Sequence, residues 1–170
     1  MTSLRAVASA PHDAAAVYNH VDMLCRIVLG GPETGGAFAL VEERAAWGAM
    51  TPQHLHAREA ETFIVVDGAL EAWCEGTTTL VEAGTVIHLP AGRAHAFRVA
   101  SDTAHFYNVI TPAGFESFFR DTGTLVAQPF DGTLPVPGPI PSEGAARMQA
   151  VLEPLGCSIT GPPPFPGGPD

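Results

Sequence analysis

From residue 22 to residue 111 the chain is a series of short apolar and β-branched runs, cut at close intervals by Gly, Pro and Asp. The runs fall near 23–29, 37–43, 51–56, 62–66, 70–74, 78–81, 86–89, 94–99 and 105–111. Strands this short and this closely spaced predict an all-β sandwich or barrel. Asp67-Gly68 sits between two runs and reads as the dipeptide of a tight hairpin, where φ must be positive. Leu89-Pro90-Ala91-Gly92 places Pro and Gly where a type I turn prefers them.

After Thr111 the period changes. Thr111 reads as a cap and Pro112 as a first helical residue, with Phe115, Phe118 and Phe119 at helical spacing before Gly123. A Pro-rich stretch covers 129–141. Ser142 then reads as the cap of a second helix, with Met148, Val151, Leu152 and Leu155 on one face and Gly156 as its stop. The Pro/Gly-rich tail, 161–170, reads as a strap or loose end on the barrel rather than a recognition motif. There is no internal repeat, so one barrel is expected. The division is an N-terminal arm (1–21), a barrel (22–111), and C-terminal helices with a tail packing on it (112–170).

Composition narrows the partners. The 170 residues suit one domain, and 46% apolar content supplies a core. No apolar run approaches the roughly 20 residues of a membrane helix. The first 18 residues lack the sustained apolar stretch of a signal peptide, so a cytoplasmic location is expected. Net charge is −10, and all eight basic residues are arginine. The absence of lysine excludes P-loop and Schiff-base chemistry. The acidic balance argues against nucleic acid and anionic membranes and leaves a small-molecule partner open. Cys25, Cys74 and Cys157 match no zinc spacing and read as inert thiols.

Four residues carry the candidate chemistry. His54 and His56 are two apart in a predicted strand, so both leave one face, with Cα atoms roughly 6.5–7 Å apart. Glu61 opens the next strand, and His95 enters through the Pro90–Gly92 turn. Three imidazoles and a carboxylate suit one divalent ion: zinc, iron or nickel, with manganese and cobalt admitted by the oxygen ligand. Phe63, Val65, Phe97 and Val99 share parity with Glu61 and His95 and are expected to face inward as a pocket wall, with Tyr107 as a further member. His88 and His105 lie on adjacent strands and are candidates for proton transfer. His12 and His20 read as surface residues.

The spacing is specific. Gly48, five residues, His54-Leu55-His56, four residues, Glu61, six residues and Gly68 form one motif. Fifteen residues on, Gly84, five residues, Pro90-Ala91-Gly92, two residues and His95 form a second. Together they resemble the paired motifs of the cupin family. The resemblance implies a jelly-roll barrel, and it implies His54, His56, Glu61 and His95 as metal ligands. Where the family often carries Asn, four residues after the last His, this chain has Val99, so a hydrogen bond outside the ligand set is expected to be missing. The Pro112–Phe119 stretch and the Gly161–Pro164 end resemble small bacterial cupins related to quercetin 2,3-dioxygenases.

Three functions follow from that resemblance. The first is a dioxygenase acting on a metal-chelating enol or phenol, with O₂ as cosubstrate and Glu61 moving the substrate proton. The second is a non-redox isomerase, lyase or cyclase using the ion as a Lewis acid, with Glu61, His88 or Tyr107 moving protons. The third is a non-catalytic binding cupin. One divalent ion and one carboxylate leave about one positive charge, which favours an anionic oxygen-donor substrate. Exposed edge strands near the N-terminus predict a homodimer.

Overall fold

The computed structural model describes residues 6–8, 16–138 and 142–166, with the side chains of 142–145 and 147 outside that description. His12 and the capping side chain of Ser142 therefore lie outside the described residues. The strands are β1 Val17–His20, β2 Met23–Leu29, β3 Ala39–Ala46, β4 Gln53–His56, β5 Ala60–Asp67, β6 Ala69–Cys74, β7 Thr77–Glu82, β8 Val86–Leu89, β9 His95–Val99, β10 Thr103–Thr111, β11 Thr124–Val126 and β12 Cys157–Gly161. The helices are α1 Gly31–Thr34, α2 Glu116–Thr122 and α3 Ser142–Leu152.

The strands form two antiparallel sheets. One runs β11-β1-β2-β3-β10-β5-β8 and the other β12-β4-β9-β6-β7. The fold is all-β with short C-terminal helices. Strand alternation fixes which residues meet between the sheets. On β10, Ala104, Phe106, Asn108 and Ile110 are buried and their neighbours are not. Phe63, Phe97 and Phe106 meet edge to face across the gap, with ring centroids 5.2–5.7 Å apart. Val65, Leu70 and Val99 fill the space beside them.

Several elements depart from the sequence-based expectation. Asp67-Gly68 is not a hairpin: β5 and β6 belong to different sheets, and the chain crosses between them at Gly68. Gly68 has φ +77°, and a Cβ there would stand 2.1 Å from the Thr103 carbonyl oxygen. Thr111 ends β10 rather than capping a helix, and α2 starts at Glu116, with Phe115 as its N-cap. The strand ladder runs through Thr111, paired with Ala60, and overrides the local helical signal. The last residues of the expected N-terminal arm form β1, which is covered in turn by β11.

The C-terminal part packs on the barrel. β12 pairs with β4, Gln53 donates to the Pro162 carbonyl at 3.0 Å, and Arg98 donates to that of Pro166 at 2.9 Å. These bonds tie residues 162 and 166 of the tail to β4 and β9. Glu116 pins α2 by accepting from the backbone N–H of Gly31 at 2.8 Å and of Gly114.

Candidate metal centre

The four predicted ligands come together. β4 brings His54 and His56, β5 brings Glu61, and β9 brings His95, whose Cα pairs in register with that of His54. The backbone N–H of Gly92, in the turn before β9, donates to the His56 carbonyl at 2.7 Å and holds that turn against β4. One ligand atom from each of the four residues lies within 4.8 Å of the others. Glu61 Oε2 stands 2.9 Å from His95 Nε2, 3.5 Å from His56 Nε2 and 4.0 Å from His54 Nε2. Ligands at roughly 2.1 Å from one ion are separated by about 3 Å when adjacent and about 4.2 Å when opposite, and the three distances from Glu61 fall within that range.

The hydrogen bonds show that the group fits a cation. His54 Nδ1 lies 2.9 Å from the Pro52 carbonyl oxygen, and His95 Nδ1 lies 2.9 Å from that of Arg93. A carbonyl only accepts, so each Nδ1 carries a proton, and in the neutral ring each Nε2 is a bare lone pair. His95 Nε2 faces a carboxylate oxygen, a contact made favourable either by a proton on that nitrogen, which Glu61 favours against burial, or by an ion held by both groups. Neither nitrogen of the fully buried His56 has a hydrogen-bond partner among the described residues. A proton relieves one such contact, whereas a divalent ion serves all four groups. Burial works against charge on Glu61, but positive charge and N–H donation from His56 and His95 outweigh it and hold the carboxyl well below its ordinary range. Burial, then the neighbouring His95, lowers His54 to about 4. Both groups are thus in the protonation state a metal ligand needs.

Asn108 orients the carboxylate. Its Nδ2 donates to Glu61 Oε1 at 2.6 Å and leaves Oε2 to the imidazoles. The hydrogen bond expected to be missing at Val99 does not come from that position: Val99 packs in the core, and β10 supplies the amide that reaches Glu61. The buried carboxyl of Glu43 is pushed up to about 8 by desolvation and by the charge of Glu61, against a smaller opposing effect of Asn108. Both residues were legible in principle, as polar residues at inward positions of apolar strands.

The centre opens on a cavity of about 250 Å³ with an almost wholly apolar wall. Phe97, Phe115, Phe118, Phe119, Met148 and Leu152 form much of that wall. Of the expected pocket residues, Phe97 lines it, while Phe63, Val65 and Val99 are buried in the core and are not part of its wall. Tyr107 points the other way. It sits between the inward Phe106 and Asn108, and its hydroxyl donates to Glu42 Oε1 at 3.0 Å on the outer face. His105 also bonds Glu42, at 2.7 Å, and the exposed His88 lies 2.9 Å from the Thr62 hydroxyl. Strand parity therefore takes all three away from the ligands. Cys157 lines the cavity as a neutral thiol, pushed up to about 12 by burial and by Glu61 and Glu59. His20 is buried rather than superficial, and it too lines the cavity.

Residues 41–110 match the Cupin domain family. The match runs from β3 to β10 and covers less than half of the chain. All four ligands lie inside the matched residues, whereas much of the aromatic and aliphatic wall comes from helices beyond them. The chain is 32% identical over 113 residues to quercetin 2,3-dioxygenase of Bacillus subtilis, a match covering 66% of this chain and 32% of that enzyme. The chain thus spans about a third of the curated relative. Among solved structures, KdgF from a Halomonas species superposes with a TM-score of 0.59 at 18% identity, covering 66% of this chain and 99% of that one. The polyketide cyclase RemF of Streptomyces resistomycificus superposes at 0.54 with 22% identity, covering 62% and 80%. These two likenesses are of fold. No helix among the described residues is long and apolar enough to cross a membrane.

Proposed function

We propose that this protein is a metal-dependent dioxygenase acting on a planar, metal-chelating enol or phenol. One observation carries the reading: a three-histidine, one-carboxylate cluster faces an apolar cavity walled by Phe97, Phe115, Phe118 and Phe119. The wall suits an aromatic ring, and the cluster suits an oxygen donor at its edge. The likeness to quercetin 2,3-dioxygenase supports the same substrate class.

His54, His56, Glu61 and His95 would hold the ion. When bound, a divalent ion such as iron, nickel, manganese or cobalt supplies charge for an enolate oxygen and the redox contact that reaction with O₂ requires. The chain does the rest. The phenylalanines orient the ring and exclude water, which strengthens every polar contact inside. Glu61 Oε2, the carboxylate oxygen on the imidazole side, would take the proton of a substrate hydroxyl. Asn108 holds that carboxylate in orientation while the proton moves. A homodimer is part of the same proposal, since β7 and β11 end their sheets.

The test is an oxygen-electrode assay of metal-loaded protein with quercetin. Oxygen uptake stoichiometric with flavonol loss is expected. Equal turnover under argon, or with zinc alone, would shift the reaction to Lewis-acid chemistry.

A further inference from the structure

We infer that His20 is a specificity-determining residue, whose imidazole receives a hydroxyl of the aromatic substrate at a second polar point of the cavity. The inference rests on the cavity being a substrate site, as proposed above. His20 is 5% exposed, lines the cavity, and has no hydrogen-bond partner on either ring nitrogen among the described residues. Its neighbours are rings: Phe118 at 4.7 Å and Phe119 at 5.2 Å, both edge to face. A ring face can take the one N–H of a neutral imidazole. It cannot serve the other nitrogen, a bare acceptor that needs a donor. Leaving such a group unpaired forfeits the hydrogen bonds it makes to water in the unfolded chain, and a phenylalanine would avoid that cost if the position served packing alone. Burial lowers His20 to about 4, so the ring stays neutral and offers one donor and one acceptor. A substrate hydroxyl donating to the acceptor nitrogen supplies what the rings cannot.

The backbone carries a second cost at the same place. His20 pairs with Met23 across a two-residue turn, Val21-Asp22, with φ of +49° and +59°. A β-branched residue in that region is strained. Strain of this kind gathers at sites where a side chain must be aimed. Here it holds His20, Val21 and Met23 on the cavity wall. His20 touches Phe118 and Phe119, while His56, among the ligands, touches Phe115. The wall therefore presents a ligand cluster and a separate hydrogen-bonding point, joined by aromatic rings. That pattern selects a flat molecule with oxygen at two places: one set chelates, and one hydroxyl meets His20.

The test compares 3-hydroxyflavone with its derivatives hydroxylated at the 4′ or the 7 position, which share one chelating group. Equilibrium binding to metal-loaded wild type, His20→Phe and His20→Gln is read by absorbance, with metal content measured in each. At least one derivative is expected to bind wild type about tenfold more tightly than the parent. His20→Phe should abolish that preference with metal content and parent affinity retained, and His20→Gln should keep part of it. No preference in wild type, or one that survives in His20→Phe, overturns the inference. If no flavonol binds the loaded protein, the proposed function falls, and phenol against toluene by titration calorimetry decides the role of His20. Tighter phenol binding in wild type alone upholds it, and equal preference in both proteins overturns it.

Discussion

The side-chain amide of Asn108 donates to Glu61 Oε1 at 2.6 Å, and this bond turns the other oxygen of the carboxylate toward three imidazoles. The two residues sit on paired strands, with Asn108 opposite Phe63 and Glu61 opposite Ile110. The ladder between β5 and β10 therefore sets the angle of the one oxygen ligand. Asn108→Ala should weaken metal affinity about 10- to 100-fold, as loss of a ligand's hydrogen-bonded support does elsewhere. Competition with a chromophoric chelator measures this. Unaltered affinity would mean the imidazoles alone orient the carboxylate.

The aromatic wall should matter to substrate and not to metal. Phe118 lines the cavity beside Phe115, Phe119 and His20 and touches none of the four ligands by ring contact. Phe118→Leu should leave metal content at the wild-type value. It should raise the KM for an aromatic substrate about three- to tenfold, the scale of one aromatic contact. Parallel metal analysis and steady-state kinetics separate the two effects.

Stability should depend on pH through His20. Burial alone lowers its pKa to about 4, against an ordinary value of 6.5. Below 6.5 the unfolded chain binds a proton that the native protein refuses until about 4. Stability from this residue is therefore full above pH 6.5 and is lost as pH falls toward 4, by up to about 3 kcal/mol. Urea unfolding at pH 7 and pH 4.5 should show a smaller acid loss for His20→Phe than for wild type. Equal losses would place His20 in water.

Gly68 should tolerate no side chain. Gly68→Ala would drive a Cβ against the Thr103 carbonyl at 2.1 Å, in a backbone region unfavourable to L-residues. A loss of more than about 2 kcal/mol is expected, measured by thermal unfolding. The position illustrates what the sequence conveys and what it conceals. The need for positive φ at Gly68 was legible, but the chain crosses between sheets there instead of closing a hairpin, and only the pairing partners decide that. The four ligands were legible because their spacing is rigid within neighbouring strands. Tyr107 was not, because its facing depends on the parity of β10 relative to Asn108. His20 and the wall from α2 and α3 were hidden for a related reason. They reach the cavity by tertiary packing from segments far from the motifs, and β1, β11 and β12 are too short or too weakly patterned to announce themselves as strands.

The central claim is that four protein groups share one divalent ion, and metal content tests it most directly. Wild type and His56→Ala, purified without chelator and supplied with iron, nickel, manganese, cobalt or zinc, would be compared by elemental analysis, with circular dichroism confirming a common fold. His56 is the most informative ligand because it is fully buried and no hydrogen bond satisfies either nitrogen among the described residues. The account predicts about one ion per folded wild-type chain and loss of that ion in His56→Ala. Equal metal content in the two proteins, or a wild type that takes up none of the five metals, would contradict it.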